Sequence, residues 1–209
     1  MIFDENSINS LRSAVKSMLS EKRYVHTLGV EDMARHLGML IIPDRIDEIC
    51  VAALLHDIAK EIPHDEQIAL LSSSDVAYTD EDIATKAVIH SFAALPVINN
   101  AFPEFATDDV LSAVANHTLG NDNMSVIDEI IYISDYAEAG RTYQTCKEVR
   151  EYLLENITAD KSYEDNLCAL HKALLTSVEA TIVSLEKRGE KINSRTYLTK
   201  NYLQRQIKG

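Results

Sequence analysis

The sequence has only three cysteines, Cys50, Cys146 and Cys168, among its 209 residues. Their number is odd, and no two of them have the C-x-x-C spacing of cysteine zinc sites and redox motifs. Cys50 lies in the run IDEICVAALL, which is typical of a protein core. The cysteines therefore argue against a disulfide framework and a cysteine zinc site, and they favour a reducing compartment.

Long apolar runs and leader features are also missing. No apolar stretch in the sequence approaches the roughly 18 residues that a membrane-spanning helix needs. The N-terminal sequence MIFDENSINS has neither a basic region nor an apolar core, so we expect no signal peptide. These absences predict a cytoplasmic protein with no membrane partner.

Positive charge is scarce, because 20 Lys and Arg residues stand against 33 Asp and Glu residues, for a formal net charge of −13. An acidic chain does not attract the phosphates of DNA or RNA over long range, so no nucleic-acid partner is expected. A phosphorylated ligand would need a locally positive pocket. A bound divalent cation is one way for an acidic protein to provide such a pocket.

Turn-forming residues are few, with six glycines and four prolines, and the apolar residues recur at spacings of three and four. This pattern predicts an all-α protein that folds as a single compact helical bundle. Helices are predicted over 4–21, 23–39, 43–57, 79–100 with a break near Pro96, 107–117 and 125–139, and along the apolar stripe 163–185. We expect the polar segment 139–161 to form a mobile cover, and the stripe to be core or, alternatively, a homodimer seam.

Two histidines precede an aspartate, and their surroundings differ. His56-Asp57 ends the apolar segment AALLHD, which would carry both side chains into the interior. His64-Asp65 follows a proline among charged residues, which is typical of a surface helix start. A buried carboxylate at Asp57 would cost several kcal/mol without a partner, and either Lys60 or a metal ion could be that partner.

Further candidate ligands follow apolar segments. His26 lies in RYVHTLGV, His90 in AVIHSFAAL, His117 in AVANHTLG and Asp135 in EIIYISDYAE. Each histidine alone could be an ordinary core residue, but the whole set favours a metal site. Imidazole with carboxylate suits iron, manganese or zinc, which can bind phosphate oxygens and activate water.

The ordered set H…HD…H…H…D resembles the HD-domain phosphohydrolases. The longer strings RYVHTLGV, AALLHDIAK, HTLGNDNMS, IIYISDYAEAGR and SRTYLTKNYL are similar to the bacterial YqeK family, the symmetrical bis(5'-nucleosyl)-tetraphosphatases. The resemblance extends over residues 20–205. It implies one HD domain over 1–209, with its core over 20–140 and C-terminal helices over 162–208 that complete a nucleotide site.

The resemblance also implies site residues. His26, His56, Asp57 and Asp135 would bind a divalent metal, iron first, with manganese or zinc as alternatives. His90 and His117 could hold a second metal. The implied nucleotide-binding residues are Arg23, Asp57, Ile58, Ala59, Lys60, His90, His117, Thr118, Asp135, Arg141, Tyr197, Leu198, Thr199, Lys200, Asn201 and Tyr202.

The chain departs from the family pattern at a few positions. Ala139 and Ser194 stand where family members usually or often have proline, which affects the loop geometry more than the chemistry. The block around Ser91 is divergent as well. Tyr197 and Tyr202 could stack on a base or could merely pack the C-terminal tail.

The implied reaction is symmetrical hydrolysis of a dinucleoside tetraphosphate, such as diadenosine tetraphosphate, to two nucleoside diphosphates. Asp57 would be catalytic as a metal ligand, and Lys60 and Arg141 would neutralise charge on the phosphates. His90 or His117 would protonate the leaving diphosphate. Two alternatives are an HD-domain nucleotidase or triphosphohydrolase acting on mononucleotides, and a nucleotide-sensing module without catalysis.

Overall fold

The computed structural model describes residues 2–208, and within that range every regular element is helical. The predicted all-α bundle is therefore confirmed. Short 3₁₀ turns at Pro43–Arg45 and Pro103–Phe105 lead into two of the helices. The helices are α1 (Glu5–Met18), α2 (Glu21–Ile41), α3 (Ile46–Leu55), α4 (His64–Ser72), α5 (Asp80–Ala84), α6 (Ile89–Ala101), α7 (Asp108–Asn116), α8 (Val126–Ala137), α9 (Gln144–Asn156), α10 (Tyr163–Lys187) and α11 (Ser194–Lys208).

The helix starts follow local capping signals in the sequence. Thr79 and Ser125 each form a capping box with the aspartate three residues later, at the starts of α5 and α8. The side chain of Thr107 accepts a hydrogen bond from the backbone N–H of Val110 and caps α7. All three predicted starts are confirmed.

The expected helix break near Pro96 is wrong. Pro96 lies inside an unbroken α6, and the interruption of the predicted helix falls instead at residues 85–88, between α5 and α6. Most of α6 is buried, so packing compensates for the hydrogen bond that proline removes. The expected mobile cover contains a helix, α9, which buries Val149 and Leu153 and packs on α10.

Helix α3 lies at the centre of the bundle. Its residues Asp47–Leu55 are all buried, and it packs against α1, α2, α7 and α8. From Ile49 to Leu55 the helix is apolar on all sides, as expected in the interior of a protein. The end of α3, with His56 and Asp57, is thereby held deep between the surrounding helices.

Helix α10 carries the predicted apolar stripe. By length and composition it is the one helix within residues 2–208 that could cross a membrane, with 44% of its most apolar window buried. Leu170, Leu174 and Val178 are fully buried, and the helix packs against α2, α8, α9 and α11. A core helix passes the same test of length and composition, and we interpret α10 as one.

A buried polar cluster fastens α11 to the bundle. The hydroxyl of Tyr202 donates to Glu129 of α8 at 2.8 Å, and Nε2 of His171 on α10 lies 3.1 Å from the same carboxylate. One turn earlier, the Thr199 hydroxyl donates to the carbonyl oxygen of Leu119 at 2.8 Å. Gly120 has φ +69, and a Cβ there would lie 2.6 Å from the Thr199 side chain, so glycine permits both the turn and the contact.

Candidate metal centre

Five helices bring the chemistry-bearing side chains to one place. His26 lies in the second turn of α2, His56 and Asp57 directly follow α3, and Asp135 lies in the last turn of α8. His90 is the second residue of α6, and His117 directly follows α7. The candidate ligands are thus supplied from helix ends and from one helix interior around the buried end of α3.

The four implied metal ligands lie close together. Nε2 of His26 is 3.0 Å from Oδ1 of Asp135 and 3.6 Å from Oδ2 of Asp57. Nε2 of His56 is 3.5 Å from Oδ2 of Asp57. One ligand atom each from His26, His56 and Asp135 lie within 4.8 Å of one another. We call these four residues the primary cluster.

The hydrogen bonding of the primary cluster fits a cation. Nε2 of His26, Nε2 of His56 and Oδ1 of Asp57 are buried and have no hydrogen-bond partner. Buried polar atoms are normally paired, so two unpaired imidazole nitrogens that both face Oδ2 of Asp57 need an explanation. Imidazole nitrogens and carboxylate oxygens are ligands of first-row divalent metals, and such an ion would pair both nitrogens.

A second group of histidines adjoins the other oxygen of the same carboxylate. Nε2 of His90 lies 3.1 Å and Nε2 of His117 lies 3.7 Å from Oδ1 of Asp57. One ligand atom each from His56, Asp57 and His117 also fall within 4.8 Å of one another. The Nζ atom of Lys60 lies 3.1 Å from Nε2 of His90. Asp57 is therefore shared between the two groups, with Oδ2 facing the primary cluster and Oδ1 facing His90 and His117.

The buried carboxylates are compensated by nearby positive charge. Burial alone would raise the pKa of Asp57, but the charge of His56 and the close approach of the surrounding imidazoles hold it well below its ordinary value. Burial also acts against ionisation of Asp135, while the contact with His26 and the charge of Arg141 lower its pKa. Both carboxylates are therefore ionised at neutral pH, as metal ligands must be.

Arginine is the nearest strong cation to Asp57. Nη1 of Arg23 lies 2.6 Å from Oδ2 of Asp57, whereas Nζ of Lys60 is 4.0 Å from Oδ1. Lys60, proposed from the sequence as a partner, is therefore the more distant of the two. Burial lowers the pKa of Lys60, and burial lowers the pKa of His90 to about 4.

Two residues around the centre were not singled out from the sequence. Oε1 of Glu138 lies 3.2 Å from Nδ1 of His26. Nη1 of Arg150 donates to the carbonyl oxygens of Ala137 and Glu138, at 3.1 and 2.7 Å. Glu138 lies in the string IIYISDYAEAGR, in which site roles are predicted only for Asp135 and Arg141. Its place in that string is the one feature of the sequence that points to Glu138.

The remaining implied nucleotide-binding residues differ in their exposure to solvent. Tyr197, Leu198 and Asn201 are exposed on α11, and Lys200 forms an ion pair with Glu179 at 3.0 Å. The side chains of Ile58, Ala59, Thr199 and Tyr202 are buried. The Thr118 hydroxyl donates to Oγ of Ser91 at 3.2 Å. Burial and the Glu129 hydrogen bond favour the packing alternative for Tyr202, whereas Tyr197 remains accessible.

The chain is similar to known proteins over most of its length. The HD domain family model matches residues 23–140. A symmetrical bis(5'-nucleosyl)-tetraphosphatase of Bacillus subtilis is 28% identical over 91% of this chain and 94% of its own length, and one of Halalkalibacterium halodurans is 29% identical over 90% and 92%. The crystal structure of a predicted HD superfamily hydrolase involved in NAD metabolism, from Clostridium acetobutylicum, superposes with a TM-score of 0.80 at 32% identity, covering 95% of this chain and 97% of that one.

Proposed function

The chain belongs to the HD domain family, and on this premise we propose that it is a metal-dependent phosphoanhydride hydrolase of dinucleoside tetraphosphates. Diadenosine tetraphosphate would be cleaved symmetrically to two molecules of ADP. The observation that carries the proposal is that two unpaired buried nitrogens, Nε2 of His26 and Nε2 of His56, both face Oδ2 of Asp57 beside Asp135. Relatives that span the chain almost end to end are named for this activity.

The primary cluster would hold the metal. Two imidazoles and two carboxylates suit iron, and manganese or zinc are alternatives. A divalent cation bound there would polarise a phosphate oxygen and lower the pKa of a water molecule. His90 and His117 remain candidates for a second metal site, as the sequence resemblance implies.

The chain's own cations would receive the polyphosphate. The side chains of Arg23, Lys60 and Arg141 are 27%, 31% and 36% exposed, whereas that of Asp57 is 3% exposed. An incoming anion would therefore meet the cations before the buried carboxylate. This arrangement gives an acidic protein a locally positive entrance, and the same groups would neutralise charge on the phosphate oxygens during phosphoryl transfer.

The histidine pair would handle the proton. Nδ1 of His117 donates to the carbonyl oxygen of Val114 at 2.7 Å, so Nε2 of the neutral ring is an acceptor. The contact from Nε2 of His90, at 3.1 Å, must then be a donation, and Lys60 would donate to Nδ1 of His90 at 3.3 Å. The transferable proton would thus lie on Nε2 of His90, which is 3.1 Å both from Nε2 of His117 and from Oδ1 of Asp57.

The substrate has two nucleoside ends, and the residues implied by the resemblance supply candidates for binding them. Tyr197, Leu198 and Asn201 of α11 offer an exposed surface, and Thr118 lies on the turn that α11 covers. We propose small nucleotides as the partners of this chain, with the cytoplasm as its location, where its three free cysteines stay reduced. The homodimer alternative for the apolar stripe of α10 stays a prediction.

Product identification tests the proposal directly. Anaerobically purified protein would be incubated with diadenosine tetraphosphate and Fe²⁺ or Mn²⁺, and the products separated by chromatography. ADP as the sole product is expected. AMP with ATP would contradict symmetrical cleavage, and faster release from mononucleotides would favour the nucleotidase alternative.

A variant and a binding measurement complete the test. Asp57→Ala is expected to lose both metal and activity, and a variant that kept both would refute the site assignment. Tight nucleotide binding without turnover in the metal-loaded protein would instead favour the sensing module.

A further inference from the structure

Glu138, the residue that follows α8, directs its carboxylate at the far side of the His26 ring. Oε1 lies 3.2 Å from Nδ1, while Nε2 of the same ring faces Oδ1 of Asp135 at 3.0 Å. Since an ionised carboxylate only accepts hydrogen bonds, Nδ1 must donate. Nε2 also faces a carboxylate oxygen, and a cation bound there would replace the proton at Nε2 and leave the neutral ring protonated at Nδ1.

We propose that Glu138 is a positioning residue, which holds His26 in its Nδ1–H tautomer and aims Nε2 at the metal. The proposal rests on the metal site of the proposed function and adds a residue that does not itself ligate. Partners of this kind fix the tautomer and ring orientation of a ligating histidine.

The other histidines around Asp57 show why His26 needs such a partner. Nδ1 of His56 and Nδ1 of His117 each donate to the backbone carbonyl three residues earlier, at 2.7 Å. Both rings directly follow a helix, where carbonyl groups lack their helical partners. His26 lies inside α2, whose carbonyls are engaged in the helix. Its Nδ1 must therefore find an acceptor elsewhere in the chain, and Glu138 supplies it from 112 residues away.

The surroundings of Glu138 fix the position of its carboxylate. A Cβ on Gly29 would lie 2.6 Å from Oε2 of Glu138, and one on Gly140 would lie 2.9 Å from it, so two glycines keep this space open. The backbone N–H of Gly140 also donates to Oε2. Nη1 of Arg150 donates to the backbone carbonyl oxygen of Glu138 and holds the backbone at this residue. Glu138 is only 4% exposed, and a carboxylate this buried needs such partners.

A purely structural role is the competing explanation, because Glu138 also stabilises the turn at Gly140. That role predicts lower stability of the Glu138→Gln variant but no change in His26 or in metal binding. The positioning role predicts more. A glutamine has one acceptor oxygen for two donors, and its amide N–H could donate to Nδ1 and move the ring proton to Nε2, where a metal must bind.

The decisive experiment compares Glu138→Gln with Glu148→Gln, the same change at an exposed position of α9. Titration of metal-free protein with Mn²⁺ in a calorimeter should show binding about 10–100-fold weaker for Glu138→Gln and unchanged for Glu148→Gln. Long-range ¹H–¹⁵N NMR of the metal-free protein should show Nδ1 of His26 protonated in the wild type and partly deprotonated in Glu138→Gln. Wild-type affinity with an unchanged tautomer would overturn the proposal.

Gly29→Ala keeps the experiment decisive if Glu138→Gln does not fold. This change favours the helix but displaces the Glu138 carboxylate, and about tenfold weaker Mn²⁺ binding is expected. Unchanged affinity in a folded Gly29→Ala protein would then overturn the proposal. Neither measurement uses a nucleotide, so a failure to hydrolyse dinucleoside tetraphosphates would leave its outcome intact.

Discussion

His90 and His117 meet with 3.1 Å between their Nε2 atoms, next to Oδ1 of Asp57. The two rings lie at 67° to each other, with their centroids 5.0 Å apart. A hydrogen bond between them uses one proton, and it occupies the nitrogen lone pair of His117 that a metal would need. The histidine pair and the primary cluster are therefore neighbours that differ in one respect: Nε2 is hydrogen-bonded in His90 and His117, and it is unpaired in His26 and His56.

Metal content should separate these two groups. His26→Ala and Asp135→Ala are expected to lose the metal, because each removes a ligand of the primary cluster. His90→Ala and His117→Ala are expected to keep one metal per chain, because their Nε2 atoms already have hydrogen-bond partners. Elemental analysis of anaerobically purified variants, with folding checked by circular dichroism, measures this. Two metals per wild-type chain, falling to one in His117→Ala, would support a dinuclear centre instead.

Arg141 should be sensitive to an otherwise conservative change. Its Nε donates to the backbone oxygen of Asp135 at 2.8 Å while Nη2 contacts the Asp135 carboxylate, a two-point geometry that lysine cannot reproduce. Arg141→Lys is expected to lower kcat/KM for diadenosine tetraphosphate by roughly 10²-fold, with metal content unchanged. Arg188→Lys, at an exposed position, is the matched control. Wild-type kinetics in Arg141→Lys would remove this residue from the reaction.

Local signals made much of the fold predictable from sequence. The capping boxes at Thr79 and Ser125 and the cap at Thr107 depend on residues within one helical turn, so they could be recognised directly. The break placed at Pro96 was wrong for the opposite reason. Whether a proline interrupts a helix depends on what the helix packs against, and that information lies elsewhere in the chain.

The residues of the candidate site were likewise predictable only where the evidence for them is local in the sequence. Residues such as His56 and Asp57 could be proposed from their apolar context and from resemblance. The ion pair of Arg23 with Asp57 spans 34 positions and the contact of Glu138 with His26 spans 112, and no periodicity reveals such a pair. Helix α9 escaped prediction because few of its residues are apolar, and its buried face is defined by α10.

The two tyrosines of α11 should respond differently to substitution. Tyr197 is 44% exposed, and Tyr197→Ala is expected to raise KM for diadenosine tetraphosphate, since stacking on a base is worth about 1–3 kcal/mol. Tyr202→Phe removes the hydroxyl that donates to buried Glu129 and should cost about 1–3 kcal/mol of stability with little change in KM. Urea unfolding and steady-state kinetics on both variants measure this. A raised KM in Tyr202→Phe alone would reverse the assignment.

Asp82 should make the attachment of α11 dependent on pH. Burial would raise the pKa of Asp82, but hydrogen bonds from Thr79 and Asn193 and the charge of Arg195 bring it below its ordinary value of 3.8. Because the folded pKa is the lower one, the stabilisation is complete well above pH 3.8 and is lost as the pH falls through the folded pKa. Asp82→Asn leaves an amide facing these donors, and we expect a loss of about 1–3 kcal/mol at pH 7.

The pH dependence of the unfolding free energy shows whether the charge of Asp82 or the packing of its side chain stabilises this region. The difference in unfolding free energy between wild type and Asp82→Asn should shrink as the pH is lowered below 4, because the wild-type carboxyl then becomes neutral as well. Urea unfolding at pH 7, 5, 4 and 3 measures the difference, with Asp80→Asn at an exposed neighbouring position as the control. A constant difference across this range would mean that packing around Asp82, and not its charge, holds α5 against the start of α11.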